Sequence, residues 1–348
     1  MFTDSISNSM VLVTGASGHL GANLVRRLLS DGIRVKVLIH PDHNNEAVAG
    51  LEVETVHADI RDRVQTVKAL AGSDYVFHCA AMVSTIDGNA RHRREIFDTN
   101  VIGTRNVMNA ALEHKVRRVV ATGSFSAVGI NIDNPSAPSN EDMMFYPYHR
   151  TMPYEQSKVL MEHECLKAAA NGLDVVIATC CAIIGGNDYL PSRLGRTLCD
   201  YANGRLRFYI DGGFEFVTAR DIVTGHLLCM EKGRSGRKYI FSSGYLTLTE
   251  VLDLFAGVTG VPMTIRKLPG APMYPIAEVA SFILSRVAPQ YPQRFTPGAI
   301  RLLLKRRHAD ITRARSELGY EPTAFREAVQ EAYDFHDKRG SILKRNAG

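Results

Sequence analysis

Tyr154 and Lys158 stand four residues apart in PYEQSKVLMEHECLKAAANG, a segment that predicts a helix. That spacing places both side chains on one face of the helix. A nearby ammonium stabilises a phenolate and is expected to lower a tyrosine pKa from about 10 toward neutrality, which makes the phenol a usable general acid or base. Such pairs also arise by chance, so the spacing alone does not define a site.

Ser124 gives the pair its significance. It follows a predicted strand in VVATGSFSAVG. A hydroxyl at that point would face a bound carbonyl group and could orient its oxygen by hydrogen bonding. The phenol, the ammonium and the hydroxyl together predict a site that moves a proton to or from a carbonyl or a carbinol.

A glycine-rich turn near the N-terminus predicts a phosphate-binding loop. The first predicted strand runs directly into TGASGHLG, with Gly15, Gly18 and Gly21 on the turn and the first helical residues. A strand-to-helix turn aims backbone N–H groups at a pyrophosphate, and glycine permits the tight turn and the close approach. The spacing G-x-x-G-x-x-G is one residue longer in its first gap than the usual fingerprint, but its place between strand and helix favours a dinucleotide.

The end of the second predicted strand indicates which dinucleotide. An acid there binds the adenosine ribose of NAD, whereas a cation accommodates the extra phosphate of NADP. This chain has His40 at that position. The lack of an acid favours NADP(H), with His40 or His43 as a phosphate contact, while Asp42 two residues further on keeps NAD(H) open.

Other strand ends supply further predicted cofactor contacts. HADIRD would place Asp59 and Ile60 beside an adenine, and the small residues Ala80 and Ala81 in FHCAA would let the backbone approach the cofactor closely. The predicted cofactor contacts are Gly15, Ser17, Gly18, His19, Leu20, His40, Asp59, Ile60, Ala80, Ala81, Thr122, Tyr154, Lys158, Cys180 and Ile183.

Short β-branched runs alternate with amphipathic helical stretches from Met10 onward. The runs MVLV, VKVLI, VETVHA, YVFHCA, RRVVATG and VVIATC are typical of repeated βαβ units, and several are apolar at consecutive positions, as strands covered on both faces should be. The sequence predicts an α/β fold with a Rossmann-type, doubly wound parallel sheet and a smaller C-terminal substrate-binding lobe. We expect residues 1–185 to form the NAD(P)-binding domain and 186–348 mainly the lobe, with about 215–260 returning to the Rossmann core.

The composition is that of an ordinary soluble globular protein of 348 residues. Lys plus Arg number 41 against 36 Asp plus Glu, and the excess is spread along the chain, which does not predict nucleic-acid binding. The six cysteines form no C-x-x-C pair, so neither a metal site nor a disulfide framework is predicted. No segment approaches the roughly 20 apolar residues of a membrane span, and we expect a cytoplasmic protein.

In combination, these motifs resemble an extended short-chain dehydrogenase/reductase, the superfamily that also contains the nucleotide-sugar epimerases. The resemblance rests on TGASGHLG, Asp59, FHCAA, Asn100 in TNVIGTRNV, Ser124, YEQSK and FVTARDIVTGHLL, and it extends to ADITRARSELGYEP. It implies that Tyr154 is the acid/base and that Lys158 binds the nicotinamide ribose and tunes the tyrosine. It also implies that Ser124 holds the substrate oxygen and that Asn100 supports the active site.

Three departures from the family pattern narrow the substrate. Dehydratases of the family have an Asp and a Glu after the position of Ser124, where this chain has Phe125 and Ser126, so that elimination is set aside. Nucleotide-sugar enzymes tend to have an Arg that binds the diphosphate at the position where this chain has Phe214, so a diphosphate ligand would lose that partner here. Cys180 stands where relatives usually have a proline lining the nicotinamide pocket, which leaves the local geometry open.

The sequence is therefore most similar to the branch that contains dihydroflavonol reductases and hydroxysteroid dehydrogenases. The predicted substrate contacts are Met82, Ser84, Ser126 and Phe214. The leading hypothesis is an NAD(P)H-dependent reductase or dehydrogenase acting on a ketone, aldehyde or secondary alcohol of a hydrophobic small molecule.

Two other readings stay open. A nucleotide-sugar epimerase would use the same residues, with Arg193 or Arg196 as the diphosphate partner. A non-catalytic NAD(P)-binding protein is the third reading, although such proteins typically lose the Tyr or the Lys. Family analogy also implies a homodimer formed through the helix of Tyr154 and the preceding helix near 94–114.

Overall fold

A computed structural model describes residues 8–42, 45–134, 136–145, 151–287 and 296–343, so His43 lies outside the described residues. Its strands are β1 (Met10–Thr14), β2 (Arg34–Ile39), β3 (Glu54–His57), β4 (Tyr75–His78), β5 (Arg118–Ser124), β6 (Val175–Cys180), β7 (Ala182–Ile184), β8 (Phe208–Ile210), β9 (Gly213–Thr218), β10 (Lys238–Phe241), β11 (Gly244–Thr247) and β12 (Arg266–Leu268).

The α-helices follow the strands in alternation over the first half of the chain. They are α1 (His19–Ser30), α2 (Arg63–Leu70), α3 (Ala90–Phe97), α4 (Gly103–Glu113), α5 (Pro153–Ala170), α6 (Arg193–Ala202), α7 (Ala219–Lys232), α8 (Leu248–Thr259), α9 (Gly270–Val287), α10 (Pro297–Lys305) and α11 (Phe325–Lys338). A π-helical turn, Asp98–Ile102, joins α3 to α4.

A seven-stranded sheet dominates the described part of the chain, in the order β10-β6-β5-β4-β1-β2-β3. All of its strand pairs are parallel. The chain proceeds from β1 toward β3 on one side and from β4 toward β10 on the other, so the winding reverses between β1 and β4. Ligands of such sheets bind at the carboxyl ends of the strands beside this reversal.

Helices cover both faces of this sheet. Val11 and Val13 pack into one buried cluster with α1 and α7, while Leu12, between them, packs into a second cluster with α2, α4 and α5. Strands buried on both faces need apolar residues at consecutive positions, which is the pattern that the sequence shows. The predicted α/β fold with a doubly wound parallel sheet is confirmed.

The remaining strands and helices form a smaller lobe. Strands β11, β9 and β7 make a three-stranded sheet, and β12 pairs with β8. Helices α6, α8 and α11 enclose its core around Phe216 and Phe255. Within the expected return at about 215–260, α7 and β10 pack on the large sheet, whereas β9, β11 and α8 belong to the lobe. The domain boundary at 185 stays a prediction.

A buried carboxylate joins the lobe to the start of α1. Asp188 is 1 % exposed and accepts hydrogen bonds from the backbone N–H of Ser192 at 2.9 and 2.8 Å. Its carboxylate lies 3.9 Å from Nδ1 of His19 and 3.7 Å from Nε2 of His336 in α11. Burial lowers the pKa of His19. Burial also disfavours the charged form of His336, but interactions with Asp188 and Cys199 outweigh it and raise the pKa of His336 to about 9.

This raised pKa predicts a pH-dependent stability. Because the folded-state pKa of His336 lies above the ordinary value of 6.5, its contribution is complete below pH 6.5 and is lost as the pH rises through 9. The shift corresponds to a contribution on the order of 3 kcal/mol to the free energy of unfolding. We expect His336→Gln to lower the unfolding midpoint at pH 6, with the difference from wild type shrinking by pH 9.5 in calorimetry.

The control for that experiment is His57→Gln, a change at an exposed position on β3. It should leave the midpoint unchanged at both pH values. An unfolding midpoint for His336→Gln that differs from wild type equally at pH 6 and 9.5 would contradict the charged pair.

Candidate active site

The carboxyl end of β5 and the first turn of α5 bring Ser124 and Tyr154 together. Ser124 is the last residue of β5, and its hydroxyl lies close enough to the phenol of Tyr154 to act on the pKa of that phenol. The hydroxyl of Ser126 lies 2.8 Å from that of Ser124. Pro153 opens the helix, and Glu155 accepts a hydrogen bond from the backbone N–H of Met152 at 2.8 Å. This capping arrangement fixes the first turn and with it the phenol.

Lys158 lies one helical turn after Tyr154 and is 3 % exposed. Its Nζ donates to the carbonyl oxygen of Thr122 at 2.6 Å and contacts the sulfur of Met161 at 3.2 Å. Burial lowers the pKa of Lys158, although the nearby carboxylate of Glu162 opposes that shift. The ammonium is therefore held beneath the end of β5.

The expectation that Lys158 lowers the tyrosine pKa is wrong for this structure. Tyr154 as a residue is only partly buried, but its hydroxyl end is enclosed, and this burial raises the pKa of the phenol to about 12. The hydroxyl of Ser124 acts on the pKa of the phenol in the opposite direction, and its effect is the smaller one. The ammonium points at Thr122, so it does not offset the loss of water around the phenol.

Thr122 is also held from the other face of the sheet. Its hydroxyl lies 2.9 Å from Nε2 of His226 in α7, whose Nδ1 lies 2.8 Å from the carbonyl oxygen of Ile222. A carbonyl oxygen only accepts, so the imidazole proton is on Nδ1 and Thr122 donates to Nε2. Burial lowers the pKa of His226 to about 4, and the ring is neutral near pH 7.

Asn100 lies in the π-helical turn and uses its whole amide group. Its Oδ1 accepts from the backbone N–H of Met82 at 2.7 Å, and its Nδ2 donates to the carbonyl oxygen of Met82 at 3.0 Å and to Oγ of Ser157 at 2.8 Å. Ser157 in turn donates to the carbonyl oxygen of Tyr154 at 2.8 Å. Asn100 thus links the segment after β4 to the helix that carries Tyr154 and Lys158.

The glycine loop has the geometry that a dinucleotide requires. Gly15 has a φ of +69°, and a Cβ there would lie 2.6 Å from the backbone nitrogen of Ala80. A Cβ on Gly21 would lie 2.2 Å from the carbonyl oxygen of Gly15. Gly18 caps α1, and Oγ of Ser17 is buried without a hydrogen-bond partner in the part of the chain that the structure describes. The loop therefore fits a pyrophosphate at the N-terminus of α1.

Two residues of this loop direct their side chains away from that position. Nε2 of His19 lies 3.0 Å from the carbonyl oxygen of Gly186, and Leu20 is buried in the cluster beneath the sheet. Their predicted cofactor contacts therefore reduce to their backbone N–H groups in the first turn of α1.

At the adenosine end, His40 lies beside an acid of the neighbouring strand end. Its Nε2 is 3.5 Å from Oδ2 of Asp59, and its Nδ1 accepts from the backbone N–H of Asp42 at 3.2 Å. Arg61 binds Asp59 through Nε at 2.8 Å and Nη2 at 2.6 Å. Burial of Asp59 is outweighed by Arg61, which lowers the pKa of that carboxyl. Ile60 is buried against Gly103 at the start of α4.

Several residues predicted to contact the cofactor or the substrate interact with protein groups near them. Oγ of Ser84 lies 2.9 Å from Nε2 of His92. In the lobe, Phe214 packs edge-on against Phe216, with 6.1 Å between the ring centroids. The thiol of Cys180 donates to the carbonyl oxygen of Cys181 at 2.9 Å, and burial raises its pKa to about 12. Ile183 lines a cavity of about 10 Å³ with His19 and Asp188. Their roles toward cofactor or substrate stay predictions.

The parallel sheet, the glycine loop at its reversal and the Ser124–Tyr154–Lys158 group define a dinucleotide-dependent oxidoreductase of the short-chain dehydrogenase/reductase type. The model of the NAD dependent epimerase/dehydratase family matches residues 11–242, and this chain belongs to that family. The predicted membership is confirmed, and the protein is an NAD(P)-dependent enzyme that acts on CH–OH or carbonyl groups.

Individual relatives cover nearly the whole chain. Sterol demethylase protein B of Methylococcus capsulatus (strain ATCC 33009 / NCIMB 11132 / Bath) is 41 % identical over 331 residues, 95 % of this chain and 99 % of that protein. A 3beta-hydroxysteroid-dehydrogenase/decarboxylase isoform 2 of Arabidopsis thaliana is 28 % identical and is longer, so the match covers 96 % of this chain and 63 % of that one. The solved structure of gox2253 superposes with a TM-score of 0.83 at 28 % identity, covering 97 % of this chain and all of that one.

None of the helices in the described ranges is both long enough and apolar enough to cross a bilayer.

Proposed function

We propose that the protein is an NADP(H)-preferring dehydrogenase or reductase that interconverts a secondary alcohol and a ketone on a bulky hydrophobic substrate, with a sterol-like lipid as the first class to test. The observation that carries the proposal is the geometry at the carboxyl end of β5, where Lys158 donates to the carbonyl oxygen of Thr122 at 2.6 Å and the first turn of α5 brings Tyr154 close to Ser124. This arrangement brings together two groups: a phenol that can give or take a proton, and a hydroxyl that can hold the substrate oxygen.

Each residue of the group has a separate part in this reaction. When bound, the nicotinamide cofactor supplies or accepts the hydride at the substrate carbon. Tyr154 gives a proton to the carbonyl oxygen during reduction and removes it from the alcohol during oxidation. Ser124 orients that oxygen, and Lys158, held by the carbonyl of Thr122, is proposed to bind the nicotinamide ribose.

The pKa of the phenol gives this chemistry a direction in pH. With a pKa of about 12, Tyr154 is protonated throughout the physiological range and stands ready as an acid for carbonyl reduction. Oxidation of the alcohol needs the phenolate, so its rate should increase with pH.

The sterol-like substrate is supported by two relatives, a sterol demethylase protein and a 3beta-hydroxysteroid-dehydrogenase/decarboxylase. The second of these is named for both alcohol oxidation and loss of carbon dioxide. The connection is chemical: oxidation of a carbinol next to a carbon that bears a carboxyl group gives a β-keto acid, and β-keto acids lose carbon dioxide readily. Phe125 and Ser126, in place of acids, fit this reaction better than a sugar dehydration.

A substrate panel tests the proposal. The purified protein would receive a 3β-hydroxysteroid with and without a 4-carboxyl group, a dihydroflavonol and UDP-glucose, each with NAD(P)⁺ or NAD(P)H, and products would be identified by mass spectrometry. We expect net cofactor turnover with a hydrophobic alcohol or ketone, and carbon dioxide release only from the carboxylated steroid. Turnover of UDP-glucose alone, to an epimer and without net cofactor change, would contradict the proposal.

The NADP(H) preference rests on His40, which stands at the end of β2 where an NAD-specific enzyme would have an acid. Oδ2 of Asp59 lies 3.5 Å from Nε2 of His40, but Asp59 also forms an ion pair with Arg61. Asp59 and Arg61 together therefore carry little net charge. We expect His40→Asp to weaken NADPH binding by about tenfold or more through repulsion between like charges, with NADH binding unchanged or tighter.

Fluorescence titration of both reduced cofactors measures this change, with His163→Asp as the control because it introduces the same charge at an exposed position of α5 and should leave both affinities unchanged. Equal NADPH affinity in wild type and His40→Asp would exclude His40 from the phosphate position.

A further inference from the structure

Beneath the site, a chain of side-chain hydrogen bonds joins the phosphate-loop strand to Asn100. The backbone N–H of Ala80 donates to Oγ1 of Thr14 at 3.2 Å, and that hydroxyl lies 2.8 Å from Nδ1 of His78. On the other side of the ring, Nε2 of His78 lies 2.9 Å from Oγ1 of Thr104, which donates to the carbonyl oxygen of Asn100 at 2.7 Å. His78 is 2 % exposed, and both threonines are 1 % exposed or less.

The two ends of this series of hydrogen bonds determine which atom donates in each bond. A carbonyl oxygen only accepts, so the single proton of Thr104 goes to Asn100 and Nε2 of His78 must donate to Thr104. Nδ1 of His78 then carries a lone pair, and Thr14 donates to it while accepting from Ala80. The result is a neutral imidazole with its proton on Nε2 and no unsatisfied polar atom.

The ring is kept neutral by its surroundings. Burial, with a smaller effect from the ammonium of Lys158, lowers the pKa of His78 to about 3. A protonated ring would put a proton on Nδ1, and the hydroxyl of Thr14 would then have no acceptor there. The imidazole therefore acts as a rigid donor and acceptor with a fixed span between two hydroxyl groups.

We propose that His78 is a positioning residue that sets two parts of the site at once: the Ala80–Met82 backbone, which is predicted to contact the cofactor, and Asn100, which holds Met82 and the helix of Tyr154. The first part runs through Thr14 to Ala80, whose nitrogen lies against Gly15 of the phosphate loop. The second runs through Thr104 to Asn100, whose amide binds Met82 and Ser157. The proposal rests on the site assignment above and not on the identity of the substrate.

The hydrogen bonds on the two sides of His78 can be removed separately. Thr14→Val removes the hydroxyl on the cofactor side together with its hydrogen bonds to Ala80 and His78, and we expect the Kd for NADPH and NADH to increase about 5- to 30-fold, with kcat within threefold of wild type. Thr104→Val removes the hydroxyl on the Asn100 side and should give the reverse, a kcat lowered about 5- to 30-fold with the cofactor Kd within threefold. His78→Leu should show both losses.

Cofactor binding is measured by fluorescence titration without any substrate, so failure of the substrate proposal leaves this half of the test intact. The matched control is Thr259→Val in α8, which also removes a threonine hydroxyl that donates to a helical carbonyl, here that of Phe255 at 2.7 Å. Its cofactor Kd and kcat should match those of wild type. Adding Thr14→Val to His78→Leu should raise the cofactor Kd by a smaller factor than Thr14→Val does in the wild-type protein, because the bond between Thr14 and His78 is already lost.

Two results would overturn the proposal. One is a folded His78→Leu protein, by circular dichroism, whose cofactor Kd and kcat both lie within twofold of wild type. The other is an equal change of both parameters in Thr14→Val and Thr104→Val, which would show that the hydroxyls stabilise the fold without separate effects on the two parts. If His78→Leu does not fold, the comparison of the two threonine variants decides the matter.

Discussion

Tyr154→Phe is expected to lower kcat by about 10²- to 10⁴-fold, the usual contribution of a positioned general acid or base. The substitution removes one oxygen and leaves the ring, so the packing at the start of α5 is kept. Ser124 would retain Ser126 as a hydrogen-bond partner at 2.8 Å. Because the phenol acts on the substrate oxygen, the Kd for the cofactor should stay within about twofold of wild type.

The measurement is a steady-state assay with the substrate identified by the panel, together with titration of NADPH and NADH. Tyr201→Phe is the matched control, since its hydroxyl donates to the carbonyl of Val261 in the lobe at 2.9 Å. That variant should keep full activity. A Tyr154→Phe enzyme with more than a tenth of the wild-type kcat would exclude the phenol as the proton donor.

Lys158→Met should weaken both cofactor binding and turnover. The ammonium is buried and donates to Thr122, and it is proposed to bind the nicotinamide ribose. Hydrogen bonds to charged groups contribute about 1.5–3 kcal/mol, so the Kd for the cofactor should increase about 10- to 100-fold. We expect kcat to decrease as well, because the ribose and the nicotinamide beyond it are no longer held against the site.

Lys167→Met at the end of the same helix is the control. Its side chain is 62 % exposed and pairs with Glu164 at 2.9 Å, so the variant should match wild type in cofactor Kd and kcat. A Lys158→Met protein that binds NADPH as tightly as wild type would contradict the ribose contact. An unfolding midpoint recorded for each variant separates loss of binding from loss of fold.

The large sheet could be predicted because each feature that indicates it lies within a short stretch of the sequence. Most strands of the large sheet are short apolar runs in the sequence, with β3 the exception, and Gly15, Gly18 and Gly21 mark the turn after the first strand. The resemblance then carried Ser124, Tyr154, Lys158 and Asn100 to one site, and the structure places these residues around the end of β5 and the start of α5.

The support beneath the site was not predictable from spacing. Thr14, His78 and Thr104 belong to β1, β4 and α4, and no periodicity in the chain links positions so far apart. FHCAA drew attention to its alanines, whereas the histidine that precedes them carries the connection. His226 was likewise part of a family motif with no role attached until the fold placed it against Thr122.

The prediction that Lys158 lowers the pKa of Tyr154 was wrong for a related reason. Spacing on a helix shows that Lys158 and Tyr154 share a face, but not where the ammonium points. The carbonyl of Thr122 takes the ammonium, and burial then sets the pKa of the phenol. The contacts of Ser84 and Phe214 also depend on the fold, since the partner of Ser84 lies in α3 and the partner of Phe214 lies in β9 of the lobe.

Net oxidoreduction at a carbonyl or carbinol is measured most directly by the stoichiometry of a single reaction. The purified protein would be incubated with NADPH carrying deuterium at the transferred position and with the ketone identified by the panel. We expect one alcohol to form for each NADPH consumed, with the deuterium on the carbinol carbon, and no product from Tyr154→Phe on the same timescale. A product altered only in configuration, with no NADPH consumed and no deuterium gained, would contradict it.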